Sequence, residues 1–138
     1  PAYSPHLLYP GTPDAPALNL SEGKAPELPE GREMLIVLID GTWRQARKIL
    51  HDSPNLRALP RLAFTPTRPS RFLFKRQPKP ECLSTIEAVY EILGALEARG
   101  YEAPDTPRNT LLEILADLVE WQISYQKKSL NADAALQS

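Results

Sequence analysis

The chain has 138 residues, and its sixteen basic and seventeen acidic side chains nearly cancel. That length fits one domain with a real core. The single cysteine, Cys82, excludes a disulfide framework and any all-cysteine zinc site within the sequence.

Seven of the fifteen prolines fall in residues 1–29. Proline fixes φ and lacks an N–H donor, which predicts neither a long helix nor a central strand here. Residues 1–33 are therefore expected as an extended, proline-rich arm lying on the domain, anchored by Tyr3, Leu7, Leu8 and Tyr9. Residues 34–130 are expected as the α/β core. Residues 34–39 (MLIVLI) are apolar throughout and rich in β-branched side chains. They predict a strand buried on both faces of a parallel sheet, and the run is far short of a membrane span. Asp40-Gly-Thr-Trp43 ends the strand, and Thr42 suits the cap of a helix over about 43–50. Residues 62–64 and 71–75 read as short strands. Ser84-Thr-Ile-Glu87 is a capping box. Its helix is expected to run to Arg99 and stop at Gly100, with Ile86, Val89, Tyr90, Leu93 and Leu96 inward. Thr110-Leu-Leu-Glu113 repeats the capping pattern and opens a last helix to about Lys128, with Leu111, Leu115, Leu118 and Val119 inward. Trp121 and Tyr125 on that helix suit either a partner surface or the core.

Charge placement is uneven. Ten of the sixteen basic residues lie between Arg44 and Lys79, against one acid, Asp52. Arg44, Arg68, Arg71, Lys75, Arg76 and Lys79 form an array of the kind that holds a phosphate backbone by charge. A solvated basic surface is the plainer alternative. Asp40-Gly-Thr-Trp43 stands at the carboxyl end of the best strand, where open α/β sheets bind ligands. A carboxylate there can act as a base, a cation ligand or an orienting group. The alternative is that Asp40 and Thr42 only cap the helix and Trp43 only packs. Asp-Gly-Thr after a strand also resembles the Asp-x-Asp-Gly-Thr pattern of haloacid-dehalogenase-type phosphatases. Leu38 occupies the place of their nucleophile, which excludes that chemistry. No Walker-type phosphate loop is present.

The start of the Ser84 helix offers free N–H groups and a positive dipole end to a carboxylate or phosphate, unless Ser84, Thr85 and Glu87 serve the helix alone. His6 and His51 are isolated in sequence and expected at the surface, not in catalysis or on a metal. Cys82 has no histidine near it and suits a packed thiol beside a ligand.

Together these blocks resemble the DTW-domain family. Asp40-Gly-Thr-Trp43 after an apolar strand is similar to its Asp-x-Thr-Trp signature. Arg68-Pro-Ser and Cys82-Leu-Ser-Thr-Ile-Glu-Ala88 resemble its second block, in which Ser-Thr-x-Glu-Ala opens a helix. The likeness covers about residues 7–121. It implies an α/β fold similar to SPOUT-class RNA enzymes, a mostly parallel sheet flanked by helices and knotted at the cofactor site. It also implies a tRNA-uridine aminocarboxypropyltransferase. Such an enzyme moves the 3-amino-3-carboxypropyl group of S-adenosylmethionine to N3 of a uridine in tRNA and leaves 5′-methylthioadenosine. A SPOUT-type RNA methyltransferase and a non-catalytic RNA-binding module are the alternatives. Members also carry an upstream cysteine cluster of zinc-binding type and an Asn-Thr-Gly-type turn. Neither lies in this sequence, which opens on Pro1 rather than methionine. The chain is therefore expected as a single DTW domain lacking the family's N-terminal segment, with any zinc in that segment and no metal on the residues present. The setting implied is cytoplasmic, with tRNA and S-adenosylmethionine as partners, no membrane, and the oligomeric state left open.

The resemblance assigns roles to positions. Asp40, Thr42 and Trp43 are the expected catalytic set, with Asp40 as base or orienting group. Leu38, Ile39, Asp40, Pro66, Cys82, Leu83, Ser84, Thr85 and Glu87 are expected around the donor, the N–H groups and hydroxyls of Ser84 and Thr85 holding its carboxylate. Trp43 would stack on adenine or on the target base. The basic array from Arg44 to Lys79 would follow the tRNA backbone.

Overall fold

The computed structural model describes residues 2–70, 83–101 and 107–136, the last ten as backbone only. Four strands form one parallel sheet: β1 (Ala2–Leu8), β2 (Ala17–Asn19), β3 (Arg32–Val37) and β4 (Arg61–Ala63), in the order β2-β4-β1-β3. The helices are α1 (Trp43–Asp52), α2 (Pro54–Arg57), α3 (Thr85–Glu97) and α4 (Asn109–Leu136). This is the expected α/β class, a small parallel sheet with helices around it. The predicted strand over 71–75 lies outside the described residues. No helix among the described residues is long and apolar enough to cross a membrane.

The expected proline-rich arm is not an arm. Its first residues form β1, an inner strand between β3 and β4. Register explains how Pro5 is tolerated. The Leu7 N–H donates to Pro60 O at 2.9 Å and the Tyr9 N–H to Leu62 O at 3.0 Å. Odd-numbered residues of β1 therefore point their backbone groups toward β4. Pro5 belongs to that set, but β4 pairs with β1 only at Leu7 and Leu8. The donor that proline lacks would have met no strand. His6, expected at the surface, is buried in this strand, with its Nδ1 3.0 Å from Ser4 O.

β1 also brings the core with it. Leu7, Leu20 and Leu62 are wholly buried, each worth roughly 1.5–3 kcal/mol relative to exposure. Leu20 and Leu62 join Ile92 and Leu96 of α3 in one cluster, flanked by Leu8, Leu18, Met34 and Ile36. The division into arm and core therefore fails, because Leu7, Leu8 and Leu20 belong to the core. The 34–39 run predicts burial on both faces, but β3 is the sheet's edge among the described residues. Met34 and Ile36 turn to the core and Leu35 is 43 % exposed.

Chain order and strand order differ. β4 is inserted between β1 and β2, which come earlier in the chain. The β1–β2 connection is only residues 9–16, short for a parallel link. It suffices because the strands are staggered. Leu7 near the end of β1 and Ala17 at the start of β2 both pair with Arg61. The connection therefore moves sideways instead of returning along the sheet. Thr12 and Ala15 close a turn within it through two backbone hydrogen bonds of 2.9 and 3.1 Å.

α3 starts and stops near the expected points, but its buried positions are Glu87, Glu91, Ile92 and Leu96. Ile86, Val89, Tyr90 and Leu93, predicted inward, are only half-buried. α3 is apolar on several faces, so periodicity alone does not select one. The two glutamates are accommodated because hydroxyls from residues 67–70 reach them. Thr67 Oγ1 donates to Glu91 at 2.7 Å and Ser70 Oγ to Glu87 at 2.8 Å. On α4 Leu115 alone among the described side chains is buried, and Leu118, predicted inward, is 43 % exposed.

Candidate active site

An apolar-walled cavity of about 1000 Å³ lies at the carboxyl ends of the parallel strands. Leu8 and Tyr9 reach it from β1, Leu38 to Asp40 from β3, and Ala63 and Phe64 from β4. Ligands of open parallel sheets bind at this end. Thr42, Trp43 and Arg44 at the start of α1 and Ser84, Thr85 and Ile86 at the start of α3 also line it. Two helix N-termini thus open on one space, each with N–H groups that have no partner within its own first turn. Ile114, Leu115 and Leu118 of α4 complete the wall.

The two sequence blocks meet in a direct contact. Thr85 Oγ1 donates to Asp40 Oδ1 at 2.6 Å, across 45 residues of sequence. The turn that sets Asp40 is built locally. Gly41 takes φ +139°, and an added Cβ would sit 3.2 Å from Gln45 Oε1. That oxygen is already engaged, because it accepts from the Thr42 N–H at 2.9 Å and from the Thr42 hydroxyl at 2.8 Å. The Gln45 N–H returns the bond to Thr42 Oγ1 at 3.3 Å. Thr42 therefore caps α1 as expected, and its hydroxyl is occupied in doing so. The Trp43 ring packs edge-on against Tyr9, centroids 6.0 Å apart, and the Arg61 guanidinium lies 5.5 Å above the Tyr9 ring.

Of the expected donor-binding residues, Leu38, Ile39, Asp40, Leu83, Ser84 and Thr85 line the cavity. Pro66 does not. It follows β4 on the segment that runs toward Thr67, on the side where Thr67 meets Glu91. Glu87 does not line it either. Its carboxylate is buried and accepts from the Ser84 N–H at 2.9 Å, the Ser84 hydroxyl at 2.7 Å and the Ser70 hydroxyl. Ser84 and Thr85 thus have their hydroxyls donating to Glu87 and Asp40. Cys82 lies outside the described residues.

Among the basic residues, Arg44 lines the cavity. Arg68 is folded against α3, with its guanidinium 4.3 Å from the Tyr90 ring centroid and 3.6 Å from Glu91. Arg108 covers the same ring at 4.4 Å and pairs with Glu97 at 3.0 Å. Arg71, Lys75, Arg76 and Lys79 lie outside the described residues. Sequence reasoning missed Tyr9, Pro10, Arg47, Ile114 and Leu118, which also line the cavity. Tyr9-Pro-Gly after an apolar pair was the available signal for the first two, a second strand–turn at the same sheet end as Asp40-Gly. Among the described residues no three His, Cys, Asp or Glu side chains gather as a metal site.

The DTW domain model matches residues 1–123. The chain is 33 % identical over 117 residues to the Drosophila melanogaster tRNA-uridine aminocarboxypropyltransferase 2, covering 85 % of this chain and 42 % of that protein. It is 32 % identical over 121 residues to the Macaca fascicularis protein of the same name, with coverage of 86 % and 37 %. To the Arabidopsis thaliana tRNA-uridine aminocarboxypropyltransferase A it is 26 % identical over 146 aligned residues, 92 % of this chain and 54 % of that one. The chain therefore spans between about a third and a half of the length of these relatives. No solved structure matches. With its Asp-Gly-Thr-Trp and Ser-Thr-x-Glu-Ala blocks joined in one cavity and the family model covering most of its length, the chain belongs to the DTW domain family.

Proposed function

We propose that this domain transfers the 3-amino-3-carboxypropyl group of S-adenosylmethionine to N3 of a uridine in tRNA. The observation that carries the reading is the Thr85–Asp40 hydrogen bond inside the cavity. It puts a fixed carboxylate between two helix N-termini at the ligand-binding end of a parallel sheet. The printed names of the relatives supply the substrate class.

The residues fit the donor's parts. Leu62, Phe64 and Leu115 give the cavity an apolar base for a nucleoside, and its volume is at the upper end of the ~300–1000 Å³ usual for small-molecule sites. With both hydroxyls of Ser84 and Thr85 engaged, the backbone N–H groups of Thr85 and Ile86 are the groups left to receive a carboxylate. The donor supplies a sulfonium whose γ-carbon bond breaks as the N3–carbon bond forms, the electron pair returning to sulfur. Uridine N3–H is a weak acid, so a base is needed close by. Asp40 takes that proton or orients the N–H, and Thr85 keeps one carboxylate oxygen in place so that the other faces the base. Trp43 stacks on adenine or on the target base. All three carbons on sulfur are electrophilic, so choice of the γ-carbon rests on position alone.

Arg44 and Arg47 sit at the cavity and suit the phosphates next to the target nucleotide. Arg71, Lys75, Arg76 and Lys79 extend that role in the reading, as does Cys82 for the donor pocket. The reading includes a single domain with a SPOUT-like, knotted path around the donor site; the parallel sheet flanked by helices supports its α/β class. It also includes a cytoplasmic setting.

The test is mass spectrometry of tRNA incubated with the protein and S-adenosylmethionine. A uridine heavier by the aminocarboxypropyl group supports the reading. A methylated product replaces it with methyl transfer. Binding of tRNA with neither binding of S-adenosylmethionine nor any product replaces it with a non-catalytic RNA-binding module.

A further inference from the structure

Trp121 and Tyr125 lie outside the core. They are 60 % and 64 % exposed and stack on one another, ring centroids 5.8 Å and planes 21° apart. Ile114 and Leu118 precede them, also exposed. The spacing i, i+4, i+7, i+11 puts all four on one face of α4. Single exposed apolar side chains need no explanation, but a continuous stripe does. Ile114 and Leu118 are also part of the cavity wall. The stripe therefore begins inside the cavity and continues onto open surface. Trp121 and Tyr125 stand roughly 5 and 10 Å beyond Leu118 along the helix axis.

We propose that Trp121 and Tyr125 form a stacking platform for the nucleobase next to the uridine that enters the cavity. This rests on the tRNA-uridine reading above. A base drawn into a pocket leaves its stack, and its neighbour loses a partner on one face. Aromatic side chains on the protein replace that partner without reading sequence. The distance from the cavity wall to the two rings corresponds to one to three stacked base steps of about 3.4 Å each. The stripe's own composition agrees, aliphatic where it walls the cavity and aromatic where it leaves it. A second copy of the chain is the other occupant to weigh. Four side chains of roughly 200 Å² each, half exposed, offer about 400 Å², against roughly 800 Å² per partner in a standard interface.

The full chain and its Trp121→Ala, Tyr125→Ala and Trp121→Phe variants are titrated with tRNA, and transfer rate, donor affinity and solution mass are measured on the same samples. Alanine keeps helix propensity, so circular dichroism of the variants matches the parent. Each alanine variant is expected to lose about tenfold in tRNA affinity. Trp121→Phe keeps most of it, and donor affinity and solution mass stay unchanged. Alanine variants that bind tRNA as the parent does, while the parent modifies it, overturn the platform and leave the transferase reading standing. A halved solution mass in the alanine variants also overturns it and assigns the stripe to a second copy. A parent chain that neither binds nor modifies tRNA overturns both.

Discussion

α1 and α3 open on the same cavity with the same local device and use it differently. Each begins with a hydroxyl residue and a side chain three positions on that folds back to the cap. At α1 the return partner is Gln45, neutral and exposed, and the box does nothing beyond its own turn. At α3 the partner is Glu87, buried and also bound by Ser70, so the box fastens the 65–70 segment to the helix. Asp40 precedes the neutral box but is held by Thr85 from the charged one. A charge consumed by its own cap cannot serve chemistry. Among the described residues that line the cavity the one carboxylate is Asp40, and it caps neither helix.

That contrast can be broken experimentally. On the proposed transferase reading, Asp40→Asn should lower transfer to tRNA by at least about a hundredfold, the usual loss for a proton-transfer group, with an unchanged melting temperature because Asp40 is exposed. Near-parental initial rates would remove Asp40 from the mechanism. Glu87→Ala should cost about 2–4 kcal/mol in urea unfolding, since it removes a buried carboxylate and the three hydrogen bonds it accepts from Ser84 and Ser70. A loss below 1 kcal/mol would mean the two boxes are equivalent.

Smaller effects sharpen the comparison. Gly41→Ala forces a Cβ into positive φ and against Gln45, and should cost about 1–2 kcal/mol in the same unfolding assay. Gln45→Ala removes only the exposed neutral box and should cost about 0.5–1 kcal/mol. At the far end of α1, the hydrogen bond from His51 and then that from Lys48 hold the Asp52 carboxyl below its ordinary range. A lowered carboxyl favours the folded state above the ordinary range, and that contribution fades as pH falls through the folded value. Both partners stand in open water, so Asp52→Asn should leave the melting temperature at pH 7 indistinguishable from the parent.

Short-range signals were legible in the sequence. Ser84-Thr-Ile-Glu87 and Thr42 with its helix stand where their residue types predict, and the apolar run at 34–39 overlaps β3 without the burial on both faces that it predicts. β1 was not legible, because Pro5 argues against an inner strand unless the partial pairing with β4 is known. The burial of Glu87 and Glu91 was hidden for the same reason. Their partners, Ser70 and Thr67, are 17 and 24 residues away and are reached only through the fold. Within the site, Asp40, Trp43 and Thr85 could be read from their motifs. Leu118 could not, since nothing near it in the chain shows that α4 crosses the opening; the Tyr9-Pro-Gly turn marks a strand end, but which strand it lies beside is set only by the fold.

The late placement of β4 has a consequence for how the domain comes into being. β1 and β2 are synthesised before the strand that lies between them and pairs with both, and Ala63 and Phe64 bring part of the binding chamber with them. A nascent chain ending before residue 61 has no complete chamber to offer. Pairings this distant in sequence form slowly. Ligand that binds only the closed chamber stabilises it by mass action and slows its reopening, so the rate of unfolding should fall with ligand concentration while the rate of refolding stays the same.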